Sequence, residues 1–365
     1  MPHDAQSQSR EVVDRQNILV RATSHHMFWP IVALVVLLVL CQVMSPGFLA
    51  VTFTDGHFFG QLVDILRTAA TPALLGLGMA LVIATGGVDL SVGAVMAISL
   101  SLSLTFLRGS SSPDSVGTVA VAVLLGLVVA LVIGAFNGFL VVGLKIQPFI
   151  ATMILMVAGR GIAMLITKAQ ITTVTSPPFK WLGSGFVLGI PTPVIIALVV
   201  FVALTVLTRW TAFGMLLESV GINAEASRLA GVPSRTLVWS TYIICGLLAG
   251  LAGIVYGAPT MAADANNIGL MKEMDAIMCV VLGGTRMSGG KFYLSGTLVG
   301  AVILTTIERA VIVFHLPSQT APLFKAIVVI AVVVAQSSRF RDWAQERRLR
   351  RQAGSDSIPA EKVIV

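Results

Sequence analysis

The chain has 365 residues, 56% of them hydrophobic and 11% charged, with a mean hydropathy of +0.92. A soluble domain carries about 25% charged residues to face water, so this composition excludes ordinary soluble domains and leaves an all-α, polytopic transmembrane helical bundle. The net charge of +7 would suit nucleic acid. However, Arg339, Arg341, Arg347, Arg348, Arg350 and Arg351 crowd one tail beyond the last apolar run, which is the pattern of a cytoplasmic flank against anionic lipid.

Residues 1–27 are polar and of mixed charge, with no short apolar core or small-residue cleavage site, and read as a retained cytoplasmic tail. A spanning helix needs about 20 apolar residues. Apolar runs predict ten spans near 28–45, 62–84, 90–107, 117–143, 148–167, 191–208, 236–258, 274–284, 294–314 and 321–337. These form one membrane domain over 28–337, followed by a basic cytoplasmic tail over 338–365. The 274–284 run is short: at 1.5 Å per residue it rises only about 16 Å, and with 285–293 it reads as a broken or re-entrant element.

With the N-terminus inside, the outer loops hold Arg108, Lys168, Lys180 and Lys272, and the spans hold Arg67, Arg160, Arg309 and Lys325. The other sixteen of the 24 Lys and Arg residues fall inside, so both termini are expected in the cytoplasm. Cys41, Cys245 and Cys279 lie far apart in apolar stretches. They suggest packing and neither a metal set nor a disulfide framework.

Gly86-Gly87-Val88-Asp89-Leu90-Ser91-Val92-Gly93 and Gly283-Gly284-Thr285-Arg286-Met287-Ser288-Gly289-Gly290 share the pattern G-G-x-x-apolar-S-x-G. Each interrupts an apolar run, as the broken helices of two-part transporters do at matching positions. Chance in a glycine-rich chain is an equal alternative. A parallel and an inverted relation both stay open.

Asp89 stands at the first break, where a carboxylate either lines a pathway or caps a helix starting at Leu90. The cap is favoured. Arg160 and Asn137 lie within apolar runs beside small residues, where helix–helix hydrogen bonding is the commoner role and ligand binding the rarer one. Asp264, Asn266 and Asn267 suit sugar hydroxyls, and suit a turn better on composition.

Between two spans, residues 213–233 carry a complete start and stop signal. Asn223 is an N-cap for a short helix over Ala224–Ala230, Gly231 follows its end and Pro233 stops it. Ala226 and Ala230 give that helix a flat face for another protein. No phosphate loop, nucleophile elbow or metal-binding helix occurs. The spans also lack a series of acids for proton coupling, so energy must come from a partner.

These residues resemble the permease subunits of ribose-type bacterial carbohydrate ABC importers. The likeness rests on Leu81–Gly93, on Gln147-Pro148-Phe149-Ile150-Ala151-Thr152, on Gly221–Gly231, and on Met274-Asp275-Ala276-Ile277 leading to Gly283-Gly284-Thr285. Ile154–Gly161 and Asp264-Ala265-Asn266-Asn267 bring it nearest to galactofuranose-type permeases. One departure is the charged Arg286-Met287, where relatives often carry an uncharged pair.

The resemblance implies a permease subunit of the bacterial inner membrane, without cofactor or catalytic role. Its implied partners are a cytoplasmic ABC ATPase, a periplasmic sugar-binding protein and a second permease, identical or different. A substrate pathway is expected to involve Gly86, Gly87, Asp89, Ser91, Asn137, Arg160, Asp264, Asn266 and Asn267. ATPase coupling is expected at Glu218, Gly221, Asn223, Ala226, Ala230 and Gly231. Alternatives are a permease for ribose, xylose or arabinose, an ion-coupled secondary transporter, a passive channel and an intramembrane enzyme.

Overall fold

A computed structural model describes residues 27–54 and 56–336. The polar head over 1–26 and the basic tail from 338 lie outside the described residues. Thirteen helices follow in chain order among the described residues: α1 (Phe28–Met44), α2 (Gln61–Ala84), α3 (Val92–Arg108), α4 (Val116–Val142), α5 (Pro148–Ile166), α6 (Pro177–Ser184), α7 (Thr192–Arg209), α8 (Ala212–Ile222), α9 (Ala224–Leu229), α10 (Ser234–Gly257), α11 (Lys272–Leu282), α12 (Leu294–Val313) and α13 (Ala321–Gln336). Six of them (α2, α4, α5, α7, α10 and α12) are long and apolar enough to cross a membrane. The ten apolar runs coincide with helices to within two residues at each end. The short α6 and α8 carry no long apolar run and escape that criterion.

The burial pattern separates protein-facing from lipid-facing helices. In α2 every residue from Ala69 to Ala84 is buried, as expected of a helix apolar all round and enclosed by others. In α4 the buried residues recur as Val119, Ala122, Gly126, Ala130, Gly134 and Asn137, a single stripe, while Leu124, Val128 and Val132 face outward. That stripe of small side chains lets α4 press on α10. A Cβ on Gly134 would sit 2.5 Å from the Tyr242 carbonyl oxygen, and one on Gly246 2.7 Å from the Gly134 Cα. Close backbone approach of this kind is how helices associate when lipid supplies no hydrophobic difference.

Among the described residues, six short strands pair as three antiparallel ribbons: β1 (Thr52–Thr54) with β2 (His57–Phe59), β3 (Thr172–Thr173) with β6 (Ala262–Ala263), and β4 (Phe186–Val187) with β5 (Ile190–Pro191). The β3–β6 pairing ties the segment after α5 to the segment after α10, with Thr172 opposite Ala263.

Two helices begin inside the bundle. A Cβ added at Gly93, in the first turn of α3, would collide with the Gly269 carbonyl oxygen just before α11, and the reverse also holds. α11 runs parallel to α2, because Gly76 packs at Ala276 and Cys279 while Gly86 meets Gly289 beyond the end of α11. α3 lies antiparallel to α4 (Ser103 Oγ donates to the Ala122 carbonyl at 2.9 Å, and Gly126 approaches Ser99). α4 lies antiparallel to α10, and α10 to α2. From their common point, α3 and α11 therefore run in opposite directions. Lys272, expected in an outer loop, is instead the first residue of α11, where its ammonium finds a carboxylate one turn on.

Candidate functional site

The two glycine loops and the 213–233 segment meet at one place. Ala84 ends α2, and its carbonyl oxygen accepts the Gly290 amide at 2.9 Å. Gly289 lies against Gly86 on one side and Gly221 on the other: a Cβ there would stand 3.0 Å from the Gly86 nitrogen and 2.9 Å from the Gly221 oxygen. Gly86 and Gly289 have φ of +78° and +85°, left-handed conformations that glycine adopts without steric cost. Gly221, near the end of α8, has no room for a methyl group beneath the Ala84 oxygen and 2.5 Å from the Gly290 nitrogen. The expected pathway glycines and the expected coupling glycine thus share one backbone junction. The two glycine loops lie side by side after parallel helices, which favours the parallel relation.

α9 hangs from that junction. The Asn223 Oδ1 accepts the Glu225 and Ala226 amides at 3.1 and 2.9 Å, the cap expected for it. The Ser219 and Ser227 hydroxyls lie 2.9 Å apart and tie α8 to α9. Gly231 turns the chain away at φ +87°, one residue after Ala230, and Glu218 is half-buried on α8. Ser227 faces inward. Ala226, Ala230, Ile222 and Leu229 are exposed, the last two at 76% each. Arg228 reaches Glu225 at 2.6 Å, and its guanidinium holds the Glu225 carboxyl below the usual carboxylate range.

Asp89, Ser91 and Asn137 form a second group, fully enclosed. The Asp89 Oδ1 accepts from the Ser91 amide at 2.9 Å and its hydroxyl at 2.6 Å. The Asn137 amide donates to the Ser91 Oγ at 2.7 Å. The expected cap at Leu90 is corrected here. The helix starts at Val92, and Asp89 secures the turn before it, because its short side chain reaches the amide two residues on. Among the described residues, neither the Asn137 Oδ1 nor the Tyr242 hydroxyl has a hydrogen-bond partner.

Arg160 gathers the third group. Its guanidinium donates to the Ala265 carbonyl at 3.1 Å and also to the Ile268 carbonyl. Asp264 takes the Asn266 amide at 3.1 Å and the Asn267 side-chain amide at 2.7 Å. The Asp264 and Asn267 side chains, with the Asn266 backbone amide, build the turn that Arg160 pins, and that turn delivers the chain to Gly269 and α11. The expected site residues therefore occupy three separate places rather than one.

A fourth place was missed by the sequence reading. The Lys325 ammonium bridges Asp275 at 2.8 Å and Glu308 at 2.7 Å, and Lys272 meets the other Asp275 oxygen at 2.9 Å. Close by, Asp64 takes Arg67 at 3.1 Å and Arg309 at 3.3 Å. Six charges inside apolar runs (Asp64, Arg67, Asp275, Glu308, Arg309 and Lys325) were the available signal. Such groups almost always find partners within the bundle. Glu273 is likewise buried in the first turn of α11, close to Gly93.

The family described as branched-chain amino acid transport system, permease component, matches residues 61–334. The galactofuranose transporter permease protein YtfT of Escherichia coli K12 is 46% identical over 318 residues, covering 86% of this chain and 91% of that protein. The fructose import permease protein FruF of Bifidobacterium longum is 38% identical over 341 residues, 92% of this chain and 94% of that one. The ribose import permease protein RbsC of Escherichia coli K12 is 34% identical over 316 residues, covering 85% and 93%. No solved structure matches the chain. With its apolar helices and this match over most of its length, the chain is a membrane protein and belongs to this family of transport permease components, which carry solutes rather than catalyse reactions.

Proposed function

We propose that the chain is the membrane-spanning subunit of an ATP-driven importer for a monosaccharide, galactofuranose before fructose or ribose. The relatives named for those three sugars support this choice. In this reading it sits in a bacterial inner membrane with ten crossings and both termini in the cytoplasm. An external binding protein delivers the sugar. A second permease, identical or different, completes the pathway, and a cytoplasmic ATPase drives it.

The observation that carries the mechanical part is the junction at Gly221. Ile222 at the end of α8 and Leu229 on α9 offer an exposed apolar surface, and α8 ends against the backbone of both glycine loops. A push on α9 therefore reaches the ends of α2 and α11 through peptide groups in van der Waals contact. Such contacts move together because a close-packed interior resists compression. The loops at 85–91 and 283–293 are where the bundle flexes, and Asp89, Ser91 and Asn137 hold the first of them against α4.

Ala226→Arg in the reconstituted complex tests the coupling. A charged, longer side chain on the α9 face should abolish sugar-stimulated ATP hydrolysis while leaving the chain folded in the membrane. Normal stimulation and normal subunit assembly in that variant would remove α9 from the drive train.

A second substrate reading comes from the family's own description, which names branched-chain amino acids. Uptake of labelled galactose, fructose and ribose and, separately, of labelled leucine by cells carrying the complete system separates the two. Uptake of leucine and of none of the sugars favours the amino acid. Uptake by this chain alone, collapsed by an ionophore and indifferent to ATP, would favour ion coupling.

A further inference from the structure

A cavity of about 240 Å³ lies between α2, α6, α10, α11 and α12. Its size falls just under the roughly 300–1,000 Å³ of ordinary small-ligand pockets. Gly183 and Ser184 at the end of α6 and Pro259 after α10 line it, in the half of the bundle opposite the Gly221 junction. None of the residues expected for the pathway lines it.

Its walls have two characters. One carries Lys272, Asp275 and Glu308, joined through Lys325 into an alternating chain of two ammonium and two carboxylate groups. That four-membered chain is electrically neutral, while Arg67 and Arg309 nearby share Asp64. A molecule rich in hydroxyls would find donors and acceptors alternating along this wall. The other character is apolar, supplied by Pro72, Pro193, Val255 and Leu304, and Thr68 and Thr71 also line the cavity. A sugar ring presents this same division, hydroxyls on its edge and C–H groups on its faces. Ligand pockets commonly combine an apolar lining with a few placed polar groups.

We infer that this cavity is a monosaccharide-binding site within the permease chain itself, open toward the side from which sugar arrives. The inference rests on the sugar-importer reading. It adds to that reading a contact between substrate and this subunit, separate from the binding protein and from the glycine loops. The Lys272–Asp275–Lys325–Glu308 chain is the polar edge of the site, and Thr68 and Thr71 reach the ring from α2.

The native cysteines are all buried, so an introduced thiol is addressable. Thr68→Cys and, independently, Ser184→Cys place one at the cavity, and Ser111→Cys places one on an exposed loop outside it. Each full chain is reconstituted without its partners and treated with a membrane-impermeant thiol reagent, with or without excess D-galactose, D-fructose or D-ribose. Sugar at twice its dissociation constant should slow labelling of both cavity cysteines about threefold, because only the empty fraction reacts. The loop cysteine should label at an unchanged rate.

Uptake of the same three sugars by the unsubstituted complete system runs alongside. Uptake with no protection by any sugar at either cavity position overturns the site and leaves the importer reading standing. Absence of uptake for all three overturns the sugar reading and the site with it.

Discussion

The two ends of the bundle are joined by different chemistry. At the Gly221 junction the contacts are backbone against backbone, with glycine at every point of approach and no charged pair between the three loops. Around the cavity, α2, α11, α12 and α13 meet through carboxylates and cations, three of them (Asp64, Asp275 and Lys325) bridging two partners each. A backbone contact transmits displacement and has no alternative partner. An ion-pair chain can exchange partners, with water or with a hydroxylated ligand, while staying neutral. The first suits a place where force enters, the second a place where something must bind and leave.

The largest expected effect breaks the charged end. Asp275 serves two ammonium groups, and Asp275→Asn leaves both in an apolar surround with weakened partners. Removing one member of a buried pair costs about 3–5 kcal/mol, which should show as a clear fall in thermal stability of the solubilised protein. Pairing it with Lys325→Met should cost less than the two single changes summed, since contacting residues do not act additively. Strict additivity would mean that the ion-pair chain is no unit.

Next comes the glycine end. Gly221→Ala forces a methyl into the Ala84 oxygen and the Gly290 amide. Overpacking of this kind costs about 1–3 kcal/mol, so the protein should fold but with transport lost out of proportion to stability. Full transport activity in Gly221→Ala would show that the junction yields without consequence and would erase the contrast between the two ends.

The contrast also tracks what a sequence can disclose. The ten apolar runs locate helices well, because each is a local property of about 20 neighbouring residues. The α9 cap and stop are equally local, and Asn223, Gly231 and Pro233 stand where their chemistry places them. The charged cavity was not legible. Lys325 meets a carboxylate 50 positions away and Arg309 meets Asp64 from the far end of the chain, pairings that depend on which helices are neighbours. Lys272 precedes the apolar run that begins at Met274 and so reads as a loop residue, and only the fold reveals that α11 begins at Lys272 inside the bundle, near Gly93. Asp89 reads locally as the cap of a helix at Leu90, whereas it anchors the turn before Val92, and its partner Asn137 lies on another helix.

Smaller effects sharpen the glycine end, where α9 transmits force only while it stays helical. Asn223→Ala removes the acceptor for two amides and should cost about 1 kcal/mol. Read as hydrogen exchange over Ala226–Leu229, that is roughly a fivefold loss of protection. The smallest effect belongs to the Glu225–Arg228 pair one turn in. Because Arg228 depresses the Glu225 carboxyl, its contribution is complete above the ordinary carboxylate range and fades as pH falls through the depressed value. Glu225→Gln should therefore raise exchange in α9 slightly at neutral pH and not at all once the native carboxyl is protonated, and high salt should erase the difference, as it does for exposed ion pairs. A Glu225→Gln effect that persists in acid would mean that this side chain supports α9 by packing rather than charge, and α9 would then be held from its cap and its serine contact alone.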